Sequence, residues 1–251
     1  MDWTTLLLLF AAGLSAGLID AIAGGGGLIS LPALLSAGLP PHLAFGTNKV
    51  QATFGTVVAV QRYARAGLFA WRDMRLPVLV TYAAATAGTV CVLNVPNAVL
   101  KRFVPWVLLA IAVYLLLHPR LGANPGRRRL DPAAFALLFG ALIGFYDGFI
   151  GPGTGTFWTM ACVGVLGLEL TRATAYTKVV NLTSNVASML VFVSLGRVRY
   201  DLAAVMMAGQ VVGGRLGAGL VLKHGAGFIR VVFIGVVLAI VGRLVWDQWA
   251  R

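Results

Sequence analysis

Apolar residues run along this chain in long blocks separated by short polar connections. Ten blocks stand out: 4–23, 28–37, 44–61, 76–95, 103–117, 132–150, 155–168, 173–196, 202–222 and 228–246. Six or more reach the roughly 17–25 residues that carry a helix across a bilayer. Two of them, 28–37 and 155–168, are short for a crossing. The connections are too short to hide a soluble domain. Lipid offers no partner to an unpaired backbone group, so each segment must satisfy its own hydrogen bonds as a helix. The pattern therefore predicts an all-α polytopic membrane protein.

One stretch interrupts the apolar pattern decisively. Residues 121–132 read L-G-A-N-P-G-R-R-R-L-D-P, where Pro, Gly and Arg together exclude both helix and membrane. This places a cytoplasmic linker at 121–131 between a first membrane repeat, 1–120, and a second, 132–251. The two halves show the same order of parts. Each opens with a helix bearing one aspartate shortly before a glycine-rich break: G-L-I-D-A-I-A-G-G-G-G-L at 17–28 and G-F-Y-D-G-F-I-G-P-G-T-G at 144–155. A short apolar segment and a Gly-Leu turn follow (Gly38-Leu39, Gly167-Leu168), then a long helix with a lysine near its start, in T-N-K-V at 47–50 and Y-T-K-V at 176–179. A helix rich in small residues and a last helix with a basic start, Lys101 or Arg230, complete each half. The expected architecture is two homologous repeats of about five helical segments each, inverted relative to one another, with helices broken at Gly24–Gly27 and Gly151–Gly155. If all ten segments cross, the N-terminus lies outside. If the two short ones are re-entrant, each half keeps four crossings and both termini lie inside. Residues 4–23 read as a permanent span, since Met1-Asp2-Trp3 supplies neither a basic leader nor a cleavage site.

Composition sharpens this reading. The chain is 59% hydrophobic and 11% charged, against about a quarter charged in soluble domains. Its net charge of +12 does not indicate nucleic acid, because the arginines gather in connections (Arg62, Arg65, Arg72 and Arg75; Arg120, Arg127, Arg128 and Arg129) as the positive-inside rule requires. Cys91 and Cys162 sit in apolar helices and suit neither a disulfide nor a metal. The pattern requires no cofactor, and its partners are the bilayer and a small ligand; a homo-oligomer is compatible with it.

The candidate chemistry lies where charge enters the apolar blocks. Asp20 and Asp147 are costly in hydrocarbon, at least ~2.5–3.5 kcal/mol each if ionised, so they either carry protons and organise a site or cap the broken helix ends. The breaks at Gly24, Gly25, Gly26 and Gly27 and at Gly151, Gly153, Thr154 and Gly155 expose the unpaired N–H groups and positive dipole end of a following helix, which suits an anion. No strand precedes them and no G-x-x-x-x-G-K-[ST] motif exists, so they are not nucleotide loops. Lys49, with Thr47 and Asn48 beside it, and Lys178, beside Thr177, are two of only four lysines. They either meet an oxyanion or snorkel to a membrane surface. Asn181, Thr183, Ser184 and Asn185 form a polar stripe after Lys178, and Gln51, Thr53 and Thr56 occupy the corresponding stretch of the first half. Gly209, Gly213 and Gly217 recur at four-residue spacing, a helix-packing signal. Arg215 is either a site charge or a surface one. His42, His118 and His224 read as solvated loop or helix-end residues without a metal partner.

The runs D-A-I-A-G-G-G-G-L-I-S-L-P-A-L and G-L-P-P-H-L-A-F-G-T-N-K, with the echoes G-P-G-T-G and Y-T-K, resemble the TauE/SafE sulfite exporter family over about residues 4–246. The resemblance implies a bacterial inner-membrane protein that moves sulfite or a related small sulfur-containing anion such as an organosulfonate, and no enzyme. Two other readings stand beside it. One is an anion channel or a non-transporting membrane subunit. The other is an intramembrane aspartyl protease, disfavoured because Asp20 follows Gly-Leu-Ile and not the G-x-G that such an enzyme needs.

Overall fold

The computed structural model describes residues 3–117 and 127–249; of residues 112, 114–117, 226, 227 and 229–249 it describes only the backbone. Among the described residues there is no strand. The helices are α1 (Trp3–Ala23), α2 (Gly27–Ser36), α3 (Pro41–Arg65), α4 (Trp71–Leu93), α5 (Asn97–Leu117), α6 (Pro132–Phe149), α7 (Thr154–Gly164), α8 (Leu170–Ser194) and α9 (Tyr200–Trp249). Gly225, at φ 66°, breaks α9 into two arms. The helices therefore follow the expected apolar blocks in order. His118, Arg120 and residues 121–126 of the linker lie outside the described residues, as does the side chain of Arg230.

Among the described residues, four helices are long and apolar enough to cross a membrane by length and composition: α1, α4, α6 and the first arm of α9, Tyr200–Gly225. Helices α3 and α8 fall short of that apolar content for a physical reason. Each has 25 residues, about 37 Å of helix, but each buries a polar stripe inside the protein instead of an apolar one.

Small residues decide which helices touch. Gly13 and Gly17 of α1 abut the backbone of Met206 and Gln210 in α9, and Gly209, Gly213 and Gly217 abut Phe10, Leu14 and Leu18 in return. A methyl group on Gly17 would lie 2.3 Å from the Gln210 carbonyl oxygen, so only glycine permits this approach. The register climbs both helices together, so α1 and the first arm of α9 run parallel. The counterpart pair does the same: Gly140, Gly144 and Gly148 of α6 abut Val80, Thr81 and Ala85 of α4. Each half thus packs its opening helix on the other half's small-residue helix.

Directions follow from the ends. The Arg199 N–H donates to Thr47 Oγ1 (3.0 Å), joining the start of α3 to the end of α8 and the start of α9. Arg62 at the other end of α3 donates to the Arg215 carbonyl. The Arg129 N–H donates to the Val165 carbonyl (2.8 Å), so α7 returns to the face from which α6 set out. The segments α1–α2 and α6–α7 are hairpins that turn inside the protein, entering from opposite faces. The two halves are therefore inverted. Re-entrance and inversion coexist, contrary to the expectation that re-entrant segments would put both halves in one orientation. A hairpin adds no net crossing, and the three helices left in each half are an odd number.

Candidate substrate site

The site starts at the two hairpin tips. Gly24 (φ +79°) ends the first, and Gly151 (φ +93°) and Gly153 (φ +79°) shape the second; side chains rarely adopt that conformation. The tips meet. A Cβ on Gly24 would lie 2.4 Å from the Gly155 backbone, and the reverse substitution is equally blocked. The Thr156 hydroxyl donates across to the Ala23 carbonyl (3.1 Å). Helices α2 and α7 thus begin side by side with no side-chain cap; the Leu28, Ile29, Thr154 and Thr156 N–H groups donate back to tip carbonyls, so the glycines at each start carry the N–H groups open to a ligand. The capping role considered for Asp20 and Asp147 is not what the carboxylates do.

Both carboxylates are paired instead with a lysine of the opposite half. Lys49 Nζ lies 2.7 Å from Asp147 Oδ1 and also donates to the Asp147 carbonyl (2.7 Å) and to Asn185 Oδ1 (3.3 Å). Lys178 Nζ lies 3.0 Å from Asp20 Oδ2. Lys49 is 3% exposed, Lys178 0%, Asp20 9% and Asp147 2%. Neither lysine snorkels, because the buried acid opposite is a nearer and stronger partner than the membrane surface. The second half adds donors to its acid: Asn181 Nδ2 (3.1 Å) and the Ser184 hydroxyl both donate to Asp147 Oδ2.

Between these groups lies a cavity of about 30 Å³, lined by Asp20, Gly24, Gly27, Ser30, Asn48, Lys49, Ala52, Asp147, Gly151, Gly153, Gly155, Asn181, Asn185 and Gln210. It sits near the midpoints of α3, α8 and the first arm of α9. A cavity of this size holds about two waters.

The family profile described as "Sulfite exporter TauE/SafE" matches residues 9–244. The chain belongs to the TauE/SafE family. It is 40% identical over 243 residues to a probable membrane transporter protein of Haemophilus influenzae, covering 97% of this chain and 95% of the relative. It is 38% identical over 241 residues to the probable membrane transporter protein YfcA of Escherichia coli K12, covering 96% and 90%. A probable membrane transporter protein, ORF9, of Sinorhizobium is 40% identical over 242 residues, covering 96% and 93%. No solved structure matches the chain.

In this TauE/SafE chain, ten of the sixteen residues singled out from the sequence line the cavity. Six do not. Gly25 and Gly26 belong to the first tip, where Gly26 packs on Ala16 and the Asp20 side chain. Thr47 is spent on the Arg199 N–H. Thr154 donates to the Gly151 carbonyl within its own turn. Thr177 shares a hydrogen bond with Thr159 (3.1 Å), and Lys178 stands behind Asp20. Ser30, Ala52 and Gln210 were not anticipated as site residues. Ser30 donates to Asn48 Oδ1 (2.6 Å), which also accepts from Gln51 (2.8 Å).

One further expectation, a solvated His42, fails. His42 is buried in the first turn of α3, with Nε2 3.1 Å from the Val92 carbonyl: Pro41 sits at the helix start, which proline favours, and draws His42 into the helix. Cys91 is exposed on the surface of α4, whereas Cys162 is buried in α7. Arg215 is exposed. Among the described residues no three His, Cys, Asp or Glu gather as a metal site. Each aspartate is paired with an ammonium and not with the other aspartate, unlike the shared-proton dyad a protease would use.

Proposed function

We propose that this membrane protein is a secondary transporter that exports sulfite or a related small sulfur-containing anion, such as an organosulfonate, across a bacterial inner membrane. Residues 1–120 and 132–251 are two copies of one unit, and the substrate binds where they meet. One observation carries the reading: two buried lysine–aspartate pairs, each crossing between halves, flank the point where two uncapped helix starts converge.

The electrostatics explain why such a site would select an anion and release it. The four ionisable groups cancel formally, so the resting site holds no net side-chain charge. The starts of α2 and α7 contribute about half a positive charge each, directed at the cavity through glycine. An arriving oxyanion gains those N–H groups and, once a carboxylate is neutralised or displaced, a lysine. Arg62, Arg65, Arg72, Arg75, Arg127, Arg128, Arg129 and Arg172 gather at one face and assign it to the cytoplasm. An anion moving without a compensating cation would gain about 2.3 kcal/mol per 100 mV on leaving through the other face, inside negative.

The test is flux of sulfite and methanesulfonate in proteoliposomes. Lys49→Ala and Asp147→Asn should abolish flux while the protein still inserts and elutes as a folded species. Wild-type flux from both variants would overturn the proposal.

A further inference from the structure

The two ion pairs occupy equivalent places but are not equally held. Lys49 and Lys178 set the correspondence between halves. Three and six residues after Lys178 stand Asn181 and Ser184, whose side chains hold Asp147 Oδ2. Three and six residues after Lys49 stand Ala52 and Gly55, which have no donor to offer. A side chain at Gly55 is excluded, because its Cβ would lie 2.2 Å from Cγ of Gln210. The one hydroxyl near Asp20, on Thr56, lies 3.5 Å from Oδ2 and has its single proton directed at the Ala52 carbonyl, 2.8 Å away.

The lysines differ in the same sense. Lys49 makes three hydrogen bonds. Lys178 lies within ion-pair distance of Asp20 but makes no hydrogen bond, although it is fully buried. A buried ammonium with three unspent donors is under-satisfied. Gln210, whose Oε1 also lacks a partner, lines the cavity with Asp20.

We infer that the two halves have divided the work: Asp20 takes up the coupling proton and releases Lys178 to the anion, while Lys49–Asp147 stays closed as a brace. This rests on the transport reading above. The step is a proton transfer alone. A proton from the aqueous phase adds to the Asp20 carboxylate, the Lys178 ammonium keeps its charge, and a monovalent anion takes the vacated place as its counter-charge. One proton and one anion move together, so the cycle carries no net charge. The charged and titratable groups facing Asp20 are Lys178 from α8, Lys49 and Tyr63 from α3 and Asp147 from α6. The neighbouring stretch of α9 presents the uncharged Gln210, and α2 and α7 present no ionisable group there. Asp147 is held by an ammonium and two further side-chain donors; of these three contacts Asp20 has only its lysine.

The test needs no knowledge of the substrate. Infrared difference spectra of the purified full chain in lipid, recorded on acidification, report the C=O stretch of each newly protonated carboxyl. The wild type should show a buried carboxyl band that Asp20→Asn abolishes and Asp147→Asn leaves. Ala52→Asn, which supplies the missing donor, should move that band to lower pH and slow proton-coupled flux of methanesulfonate in proteoliposomes. Where Asp20→Asn fails to fold, the Ala52→Asn shift decides the matter. A band lost in Asp147→Asn but kept in Asp20→Asn, no band at all, or an unmoved band in Ala52→Asn would overturn the inference. Absence of any flux with the infrared assignment intact would instead overturn the transport reading.

Discussion

At the scale of single residues, the buried lysines and aspartates have opposite fates when cut singly or together. Lys49→Ala leaves Asp147 charged and uncompensated in the interior, a loss of about 3–5 kcal/mol. Removing the acid as well, in Lys49→Ala with Asp147→Leu, should restore part of that loss, because no buried charge is then stranded. Thermal unfolding in one detergent gives the comparison; a double variant less stable than Lys49→Ala would contradict the pairing. All four residues were legible in the sequence, since charge inside an apolar block demands an account. Their partners were not. Sequence spacing relates Asp20 to Lys49 within one half, whereas the fold pairs each acid with the lysine of the other half. Ser30 and Gln210 escaped notice for a different reason: an isolated uncharged polar side chain in an apolar helix gives little signal.

At the scale of elements, glycine positions were more informative than hydropathy. The Gly209, Gly213 and Gly217 spacing announced a close helix contact, and α1 fills it. Hydropathy misjudged α3 and α8, whose polar stripes lower their apolar content because they line the site. Substituting packing glycines should therefore cost stability in proportion to the contact. A Cβ on Gly148 would lie 2.0 Å from the Ala85 carbonyl oxygen, whereas Gly164 has nothing within 4 Å. Gly148→Ala should destabilise by about 1–3 kcal/mol and Gly164→Ala should leave the unfolding temperature unchanged. Equal behaviour of the two would count against the α4–α6 packing.

At the scale of the whole molecule, the order of parts made the inverted halves readable, but the number of crossings depended on where each hairpin turns, which apolar length does not encode. Orientation can be measured. With Cys91 replaced by serine, a cysteine at Arg75 or at Arg128 should react with a membrane-impermeant maleimide from one side of the membrane only, and a cysteine at Tyr200 from the other. Labelling of all three from the same side would refute the inversion.

The contact between Gly24 and Gly155 has a further consequence. Because bare backbone touches bare backbone there, no side chain can rotate aside to let one tip slide while its neighbour stays fixed. The hairpins bear on one another directly: any side chain added at either glycine must part the two tips, and with them the starts of both short helices.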